Sequence, residues 1–180
     1  MTEVEIKAHV YDFAQLKNRI ELREDTSFPE ALHKIDTYYY REGSDPDTTL
    51  FRLRQERGIG LITRKIKNRI DSMEVNEEIE FTVSDIRSCS TFFSSLGYTV
   101  YVNKEKQGYL YHLDDLNIEL WHVTSLGDFI ELEVLLPPEG RTKSQLLKAT
   151  QKRLYSLLDE LLIPRGSIEP RYYMELLRSS

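Results

Sequence analysis

Apolar and charged residues alternate with a period of two along much of the chain. Residues 2–10 open with this pattern, and residues 72–83 keep it over their full length. Successive side chains of a strand point to opposite faces, so the alternation predicts half-buried β-strands. Most candidates follow one another directly, which predicts an antiparallel meander. The further strand candidates are residues 35–41, 49–57, 61–67, 97–107, 108–114, 117–123 and 128–136.

Helical spacing is confined to a few segments. Asp12 and Gln15 form a candidate capping box before a short helix, and Ser84 is placed to cap a second one. Residues 142–162 carry a leucine stripe typical of a long amphipathic helix, and a short helix is predicted at 171–178. No repeat or linker interrupts the chain. We therefore expect one domain over its whole length, with both C-terminal helices packed on the sheet.

The polar faces of the strands consist almost entirely of charged residues, and the charges are segregated by strand. A solvated outer face is the ordinary explanation of such a pattern. However, the few helices are needed to cover the apolar faces, which would turn the charged faces inward, into a closed or nearly closed barrel. The acidic pairs are Glu3/Glu5, Glu78/Glu80 and Glu131/Glu133; the basic pairs are Arg52/Arg54, Lys65/Lys67 and Lys104/Lys106.

A lumen lined by these residues would have a definite chemistry. Buried charges are costly unless they are paired, hydrated or bound to a ligand. Paired Lys and Arg side chains suit a run of phosphates, and paired carboxylates suit a hard divalent cation. The pattern therefore favours a site for a metal–polyphosphate complex. A purely structural network of salt bridges remains the alternative.

Composition narrows the class of protein. The chain has 180 residues and a net charge of −6, which argues against nucleic acid as a partner. Cys89 is the single cysteine, which suits a reducing compartment. We find no signal peptide and no apolar run of membrane-spanning length, so we expect a cytoplasmic protein without a membrane partner. A homodimer is compatible with the acidic helical exterior.

Seven motifs, in order along residues 3–133, resemble those of the CYTH superfamily, the triphosphate tunnel metalloenzymes. One alternating motif would be weak, whereas seven in the family's order are specific. The motifs are EVEIK (3–7), DTYY (36–39), LFRLR (50–54), TRKIK (63–67), EEIE (77–80), KEKQGY (104–109) and LGDFIELE (126–133). The resemblance implies an α+β fold: an eight-stranded antiparallel β-barrel, or tunnel, with helices packed outside.

The resemblance also implies roles for the charged residues. Mg²⁺ or Mn²⁺ would be the cofactor, and ATP or tripolyphosphate the small-molecule partner. The implied catalytic residues are Lys65, Glu78 and Glu80. Phosphate-binding residues would be Lys7, Arg52, Arg54, Lys65, Lys67, Lys104 and Lys106, and metal ligands Glu3, Glu5, Glu131 and Glu133.

Within the superfamily the chain is most similar to the CyaB branch, the class IV adenylyl cyclases, which convert ATP to cyclic AMP and pyrophosphate. Trp121 stands where that branch has an Asp, and Glu119, two residues earlier, is a candidate substitute. An inorganic or organic triphosphatase acting on tripolyphosphate, thiamine triphosphate or a nucleotide is therefore the alternative. A non-catalytic polyphosphate- or nucleotide-binding module is a third interpretation.

Overall fold

The structure is a computed structural model that describes residues 2–66, 69–136 and 143–179. Its strands are β1 (Thr2–His9), β2 (Glu30–Arg41), β3 (Phe51–Glu56), β4 (Ile59–Ile66), β5 (Arg69–Ile70), β6 (Met73–Val83), β7 (Tyr98–Leu113), β8 (Leu116–Val123) and β9 (Gly127–Leu136). Its helices are α1 (Phe13–Glu21), α2 (Pro46–Thr49), α3 (Ile86–Ser95), α4 (Lys143–Glu160) and α5 (Tyr173–Ser179).

Eight of these strands close a barrel. They run in the order β1-β9-β8-β7-β2-β3-β4-β6, and β6 pairs back with β1 through Glu3 opposite Asn76. The strand β5 is a two-residue addition beside β6. Neighbouring strands are antiparallel throughout, so the predicted antiparallel barrel is confirmed.

Tight turns fix the register of the meander. Glu56 pairs with Ile59, which leaves only Arg57 and Gly58 between β3 and β4. Both have positive φ angles, 51° and 76°. Such a two-residue turn matches the right-handed twist of the flanking strands, and it holds the charged positions of β3 and β4 on the same face.

The main hydrophobic core lies outside the barrel, between five strands and two helices. The even-numbered apolar residues of β1, β8 and β9 point outward and are buried beneath α1 and α4. Leu16 and Ile20 of α1 and Leu154 and Leu158 of α4 pack against them. The helices therefore cover the apolar face on this side, and the charged face is left to the lumen. No helix among the described residues is long and apolar enough to cross a membrane.

The opposite side of the barrel differs from the prediction. We expected helices over every apolar strand face, yet Ile79 and Phe81 of β6 are more than half exposed, at 57% and 56%. No residue of α3 is fully buried, and its N-cap is Asp85, whose side chain accepts a hydrogen bond from Ser88 N. Ser84 was predicted for that position. An aspartate carboxylate is as good a cap as a serine, and the helix starts one residue later.

Other boundaries also differ. The helix α2, a single turn between β2 and β3, was not predicted. The strand β2 begins at Glu30, five residues before the predicted start, because its whole length pairs with β7. The predicted start of the long helix, residue 142, lies outside the described residues.

The cytoplasmic location and the homodimer stay predictions.

The strand β7 is continuous where two strands were predicted. It runs for 16 residues and pairs with β2 on one side and β8 on the other. Gly108, the predicted break, is extended within it and lies opposite Trp121. An added Cβ there would lie 1.9 Å from Leu120 O and 3.0 Å from Trp121 Cα. The glycine is therefore needed for close approach of two backbones, not for a turn.

The last helix lies across one end of the barrel. Met174 packs with Tyr38 and Leu50, while Arg178 donates a hydrogen bond to the Tyr101 hydroxyl. On the other side of the opening, Glu175 pairs with Arg69 of β5 at 3.6 Å. The helix therefore joins strands from opposite sides of the barrel.

We predict that Gly108→Ala destabilises the protein by about 1–3 kcal/mol, because the new methyl group forces the β7 and β8 backbones apart. Gly166→Ala is the matched control, since a Cβ there would meet nothing within 4 Å. Urea unfolding followed by circular dichroism measures both. Equal stability of the two variants would contradict the close approach.

Candidate functional site

The lumen is a charged cavity of about 450 Å³. Alternation along each strand places the charged side chains inside it, as the sequence predicted. All predicted site residues within the described part of the chain line it, whereas Lys67 lies outside the described residues. The lining includes Glu3, Glu5, Lys7, Arg52, Arg54, Lys65, Glu78, Glu80, Lys104, Lys106, Glu131 and Glu133.

Asp36 of β2 organises the basic side of the lumen. Its carboxylate is fully buried and accepts two hydrogen bonds from Arg54, at 2.7 and 3.0 Å. Lys104 Nζ lies 3.0 Å away and Arg52 Nη1 3.8 Å away. Burial alone would raise the pKa of Asp36, but these three cations lower it well below its usual value. Glu80 lies 3.8 Å from Arg52 and Glu56 lies 3.9 Å from Arg54, so one fully buried carboxylate and two more exposed ones hold the three cationic groups together.

A second group of contacts surrounds Glu119 of β8. Lys34 Nζ lies 3.0 Å from one of its oxygens, and the Trp121 indole N–H donates to the other at 2.8 Å. Lys106 bridges Glu119 and Glu131, at 3.5 and 2.7 Å. Burial opposes ionisation of Glu119, yet Lys106 and Lys34 hold its pKa far below the usual range. Glu119 is therefore a charged anchor for the deep lysines.

The remaining pairs lie on β1, β4 and β6. Lys65 contacts Glu3 and Glu78, both at 2.7 Å. Burial would raise the pKa of Glu3, but the Lys65 ammonium lowers it to about 2. Lys7 pairs with Glu74 at 3.0 Å, with both side chains buried. These contacts tie the strand that closes the barrel to its neighbours.

Two carboxylates are left with too much negative charge around them. Burial, together with Glu131, Glu74 and Glu3, raises the pKa of Glu5 well above its usual value. Burial and the nearby carboxylates of Glu3 and Glu119 raise the pKa of Glu133 to about 8. The acidic side of the lumen therefore lacks positive charge.

The donor set suits a hard divalent cation. Carboxylate oxygens are the ligands that Mg²⁺ and Mn²⁺ prefer. Glu131 Oε1 is buried without a hydrogen-bond partner in the described part of the chain. Glu5 and Glu133 lie beside it with raised pKa values, so a cation there would relieve repulsion. As arranged, no group of three acidic or histidine side chains among residues 2–66, 69–136 and 143–179 forms a ready metal cage.

Trp121 occupies a defined place in this network. It is fully buried, and the Lys106 and Lys34 ammonium groups lie 4.2 and 5.0 Å from its ring. Because no part of the ring is exposed, it packs as a wall and is not available to stack on a substrate base. Glu119, the candidate substitute for the missing Asp, has both oxygens engaged by Lys34, Lys106 and the indole.

The sequence missed several lumen residues. Lys34 was missed because β2 was expected to start after it. In the full strand, Lys34 lies on the same face as Asp36 and Tyr38, two and four residues later. Glu74 belongs to the charged face of β6 and could have been found by the same alternation. Tyr173 gave no such signal, because it comes from a helix that was expected outside the barrel.

Comparisons with known proteins agree with this geometry. The family model described as the CYTH domain matches residues 1–173. A Methanocaldococcus jannaschii protein carrying the name "Putative adenylate cyclase" is 28% identical over 182 residues, which cover 98% of this chain and 98% of the relative.

Solved structures share the architecture over the whole chain. A Pyrococcus horikoshii protein of 27% identity superposes with a TM-score of 0.82, covering 97% of this chain and 98% of its own. A Hippeastrum protein, described as having a dominant triphosphatase activity, is 14% identical with a TM-score of 0.70 over 98% of this chain and 95% of its own. At that identity the second likeness shows the fold alone.

We predict that Asp36→Asn lowers the free energy of unfolding by about 3–5 kcal/mol, because three buried cations lose their shared counter-charge. Asp114→Asn is the control: Asp114 is on the surface with a positive φ of 55°, which asparagine tolerates. Denaturant unfolding compares them. If both variants match the wild type, Asp36 does not hold the cationic cluster together.

The raised pKa of Glu133 predicts a pH effect. The carboxyl binds its proton up to about pH 8 when folded but only to about 4.5 when unfolded. The folded state therefore holds more protons between these values, and stability falls as pH rises through this window. Without divalent cations, Glu133→Gln should flatten that part of the Tm–pH curve, whereas the exposed control Glu24→Gln should not. An unchanged curve for Glu133→Gln would refute the assignment.

Proposed function

The chain belongs to the CYTH domain family, and from that premise we propose that it is a divalent-metal-dependent enzyme that acts on a triphosphate inside the barrel. One observation supports this above the others. A cationic cluster around Asp36 and a carboxylate-rich cluster around Glu5 and Glu133, in which both pKa values are raised, line a single cavity of about 450 Å³. The first matches phosphate oxygens and the second a cation.

The chain's own basic residues would bind the phosphates. Arg52 and Arg54 offer planar guanidinium groups, which suit phosphate oxygens, and Lys104 and Lys106 add point charges. In the free protein these groups are held by Asp36, Glu119 and their neighbours. Phosphate oxygens would join those carboxylates as acceptors, so the site is organised before the substrate arrives.

Glu3, Glu5, Glu131 and Glu133 would hold the metal. A bound Mg²⁺ or Mn²⁺ would supply charge neutralisation for phosphate oxygens and the leaving group. Near it, Lys65 lies between Glu3 and Glu78 and is in place to stabilise charge that develops on the phosphate chain.

The first candidate reaction is cyclisation of ATP. The ribose 3′-hydroxyl would attack the α-phosphorus, and pyrophosphate would leave with the electrons of the broken P–O bond. Glu78 or Glu80, on the more exposed part of the lumen, would accept the hydroxyl proton. The similarity of the whole chain to the Methanocaldococcus jannaschii protein supports this candidate.

The second candidate is hydrolysis of a triphosphate at its terminal phosphate. Trp121 favours it, because this buried indole replaces the Asp that the cyclase branch carries, and Glu119 is fully engaged with Lys34, Lys106 and the indole. The same lumen would then present the terminal phosphorus to water. The two reactions differ in which phosphorus is attacked, not in the groups that bind the substrate.

A product assay decides between them. Purified protein with Mg²⁺ or Mn²⁺ is incubated with ATP and, separately, with tripolyphosphate. Cyclic AMP with pyrophosphate identifies a cyclase, and orthophosphate without cyclic AMP a triphosphatase. Metal-dependent binding with neither product would identify a non-catalytic binding module.

Whichever product forms, we expect Lys65→Met to lower kcat/KM by about a hundredfold, since a charge near the phosphates is lost. A Glu3→Gln, Glu5→Gln double variant should lose the response to metal. Lys148→Met, an exposed site on α4, is the control and should keep full activity. A Lys65→Met enzyme with wild-type kinetics would contradict a site in the lumen.

A further inference from the structure

One end of the lumen is closed by the Tyr173 ring, and further aromatic side chains pack behind it. Trp121 and Phe129 are fully buried there, and the Tyr173 ring from α5 meets Phe129 edge to face, 5.1 Å between centroids. Leu176 of the same helix packs behind them. We call Trp121, Phe129 and Tyr173 the end wall. It brings no charged group to the lumen.

Exposure of the charged side chains shows where a substrate would enter. The Glu80 side chain is 40% exposed and that of Lys65 is 23% exposed, both on the β4–β6 side. Lys106 and Lys7, beside the end wall, are exposed by 4% and 2% only. The cavity therefore has an accessible mouth and a closed end.

The cationic side chains beside Tyr173 are the least exposed in the lumen. Lys65 is 23% exposed, and Arg52 and Arg54 are 9% and 10% exposed. Lys7, Lys104 and Lys106 are exposed by 2% to 4% only, and we call these three the deepest tier. The deepest tier surrounds Tyr173: Lys7 and Lys104 lie 4.6 and 4.9 Å from its ring centroid. A triphosphate that enters phosphate-first would place its terminal phosphate in this tier.

The end wall is held in place by contacts along the C-terminal segment. Ile168 bridges to Ala8 of β1, and Glu169 N donates to Lys7 O at 2.9 Å. The Glu169 carboxylate accepts three hydrogen bonds from Arg171, at 2.6 to 3.0 Å. These contacts fix the chain directly before Tyr173, so its ring is a built part of the lumen.

The Tyr173 side chain lines the lumen, and its hydroxyl is buried. It is buried beside Glu131, yet neither it nor Glu131 Oε1 has a hydrogen-bond partner within the described ranges. Buried polar atoms without partners are rare and call for an explanation. A phenol hydroxyl can donate a hydrogen bond to a phosphate oxygen.

We propose that Tyr173 is a specificity-determining residue that requires an unsubstituted terminal phosphate on the substrate. Its ring blocks any group attached beyond that phosphate, and its hydroxyl donates a hydrogen bond to a terminal phosphate oxygen. The substrate class is then a triphosphate with one free end, such as ATP or tripolyphosphate, and excludes triphosphates substituted at both ends. This inference rests on the proposed function.

A bump-and-hole experiment tests it. Trp121 is the only tryptophan, and Lys106, which lines the lumen, lies 4.2 Å from its ring. Its fluorescence therefore reports ligands that reach Lys106, without any need for turnover. Wild type, Tyr173→Ala and Tyr173→Phe are titrated in Mg²⁺ with ATP and with the γ-phenyl ester of ATP. Tyr11→Ala, which removes a tyrosine that is 84% exposed, is the control.

We expect the wild type and Tyr11→Ala to bind ATP at least tenfold more tightly than the phenyl ester. Tyr173→Ala should reverse this preference, because the phenyl group refills the vacated space, and such a gain cannot come from misfolding. Tyr173→Phe should bind ATP several-fold more weakly and still reject the ester.

Equal affinity of the wild type for ATP and its phenyl ester would overturn the inference and leave the proposed function standing. If Tyr173→Ala prefers ATP over the phenyl ester as strongly as the wild type does, the inference is likewise overturned. If the wild type binds neither ATP nor tripolyphosphate, the proposed function fails, and the inference fails with it.

Discussion

The architecture depends on one electrostatic constraint: charges enclosed in a barrel must find partners within it. Removing a carboxylate or ammonium group from water costs several kcal/mol unless good contacts replace the water. The lumen meets this constraint by pairing across strands, as in Lys7 with Glu74 and Lys65 with Glu3. Strand register and alternation must therefore be kept around the whole barrel, because a slip by one residue would turn these charges toward the outer core.

The pairing is uneven, and the unevenness gives the lumen its chemistry. Three cations share the fully buried carboxylate of Asp36, and Glu80 and Glu56 are more exposed second partners of two of them. Around Glu5 and Glu133, carboxylates outnumber cations, and the raised pKa values record their repulsion. A purely structural network would balance charge locally. Here a polyanion would complete one side and a divalent cation the other, so the imbalance supports a metal–triphosphate site over a structural barrel.

Much of this could be read from the sequence, because period-two alternation determines which face a side chain occupies. Glu3 and Glu5 were placed in the lumen from their spacing, the segregation of charge by strand and the small number of helices, and Lys7 was added by the resemblance to the family. Alternation could not show that Gly108 lies within a continuous strand, since glycine also marks turns and only the backbone of Leu120 explains it. Nor could it place Tyr173, whose position depends on how the C-terminal segment packs across the barrel.

The most direct test of this account is calorimetric titration of tripolyphosphate with and without Mg²⁺. If each ligand completes the side of the lumen that lacks its charge, the two should bind cooperatively. One molecule of tripolyphosphate should then bind per chain, at least tenfold more tightly when Mg²⁺ is present. The affinity for Mg²⁺ should rise by the same factor when tripolyphosphate is bound. Tripolyphosphate affinity that does not change with Mg²⁺ would contradict the account.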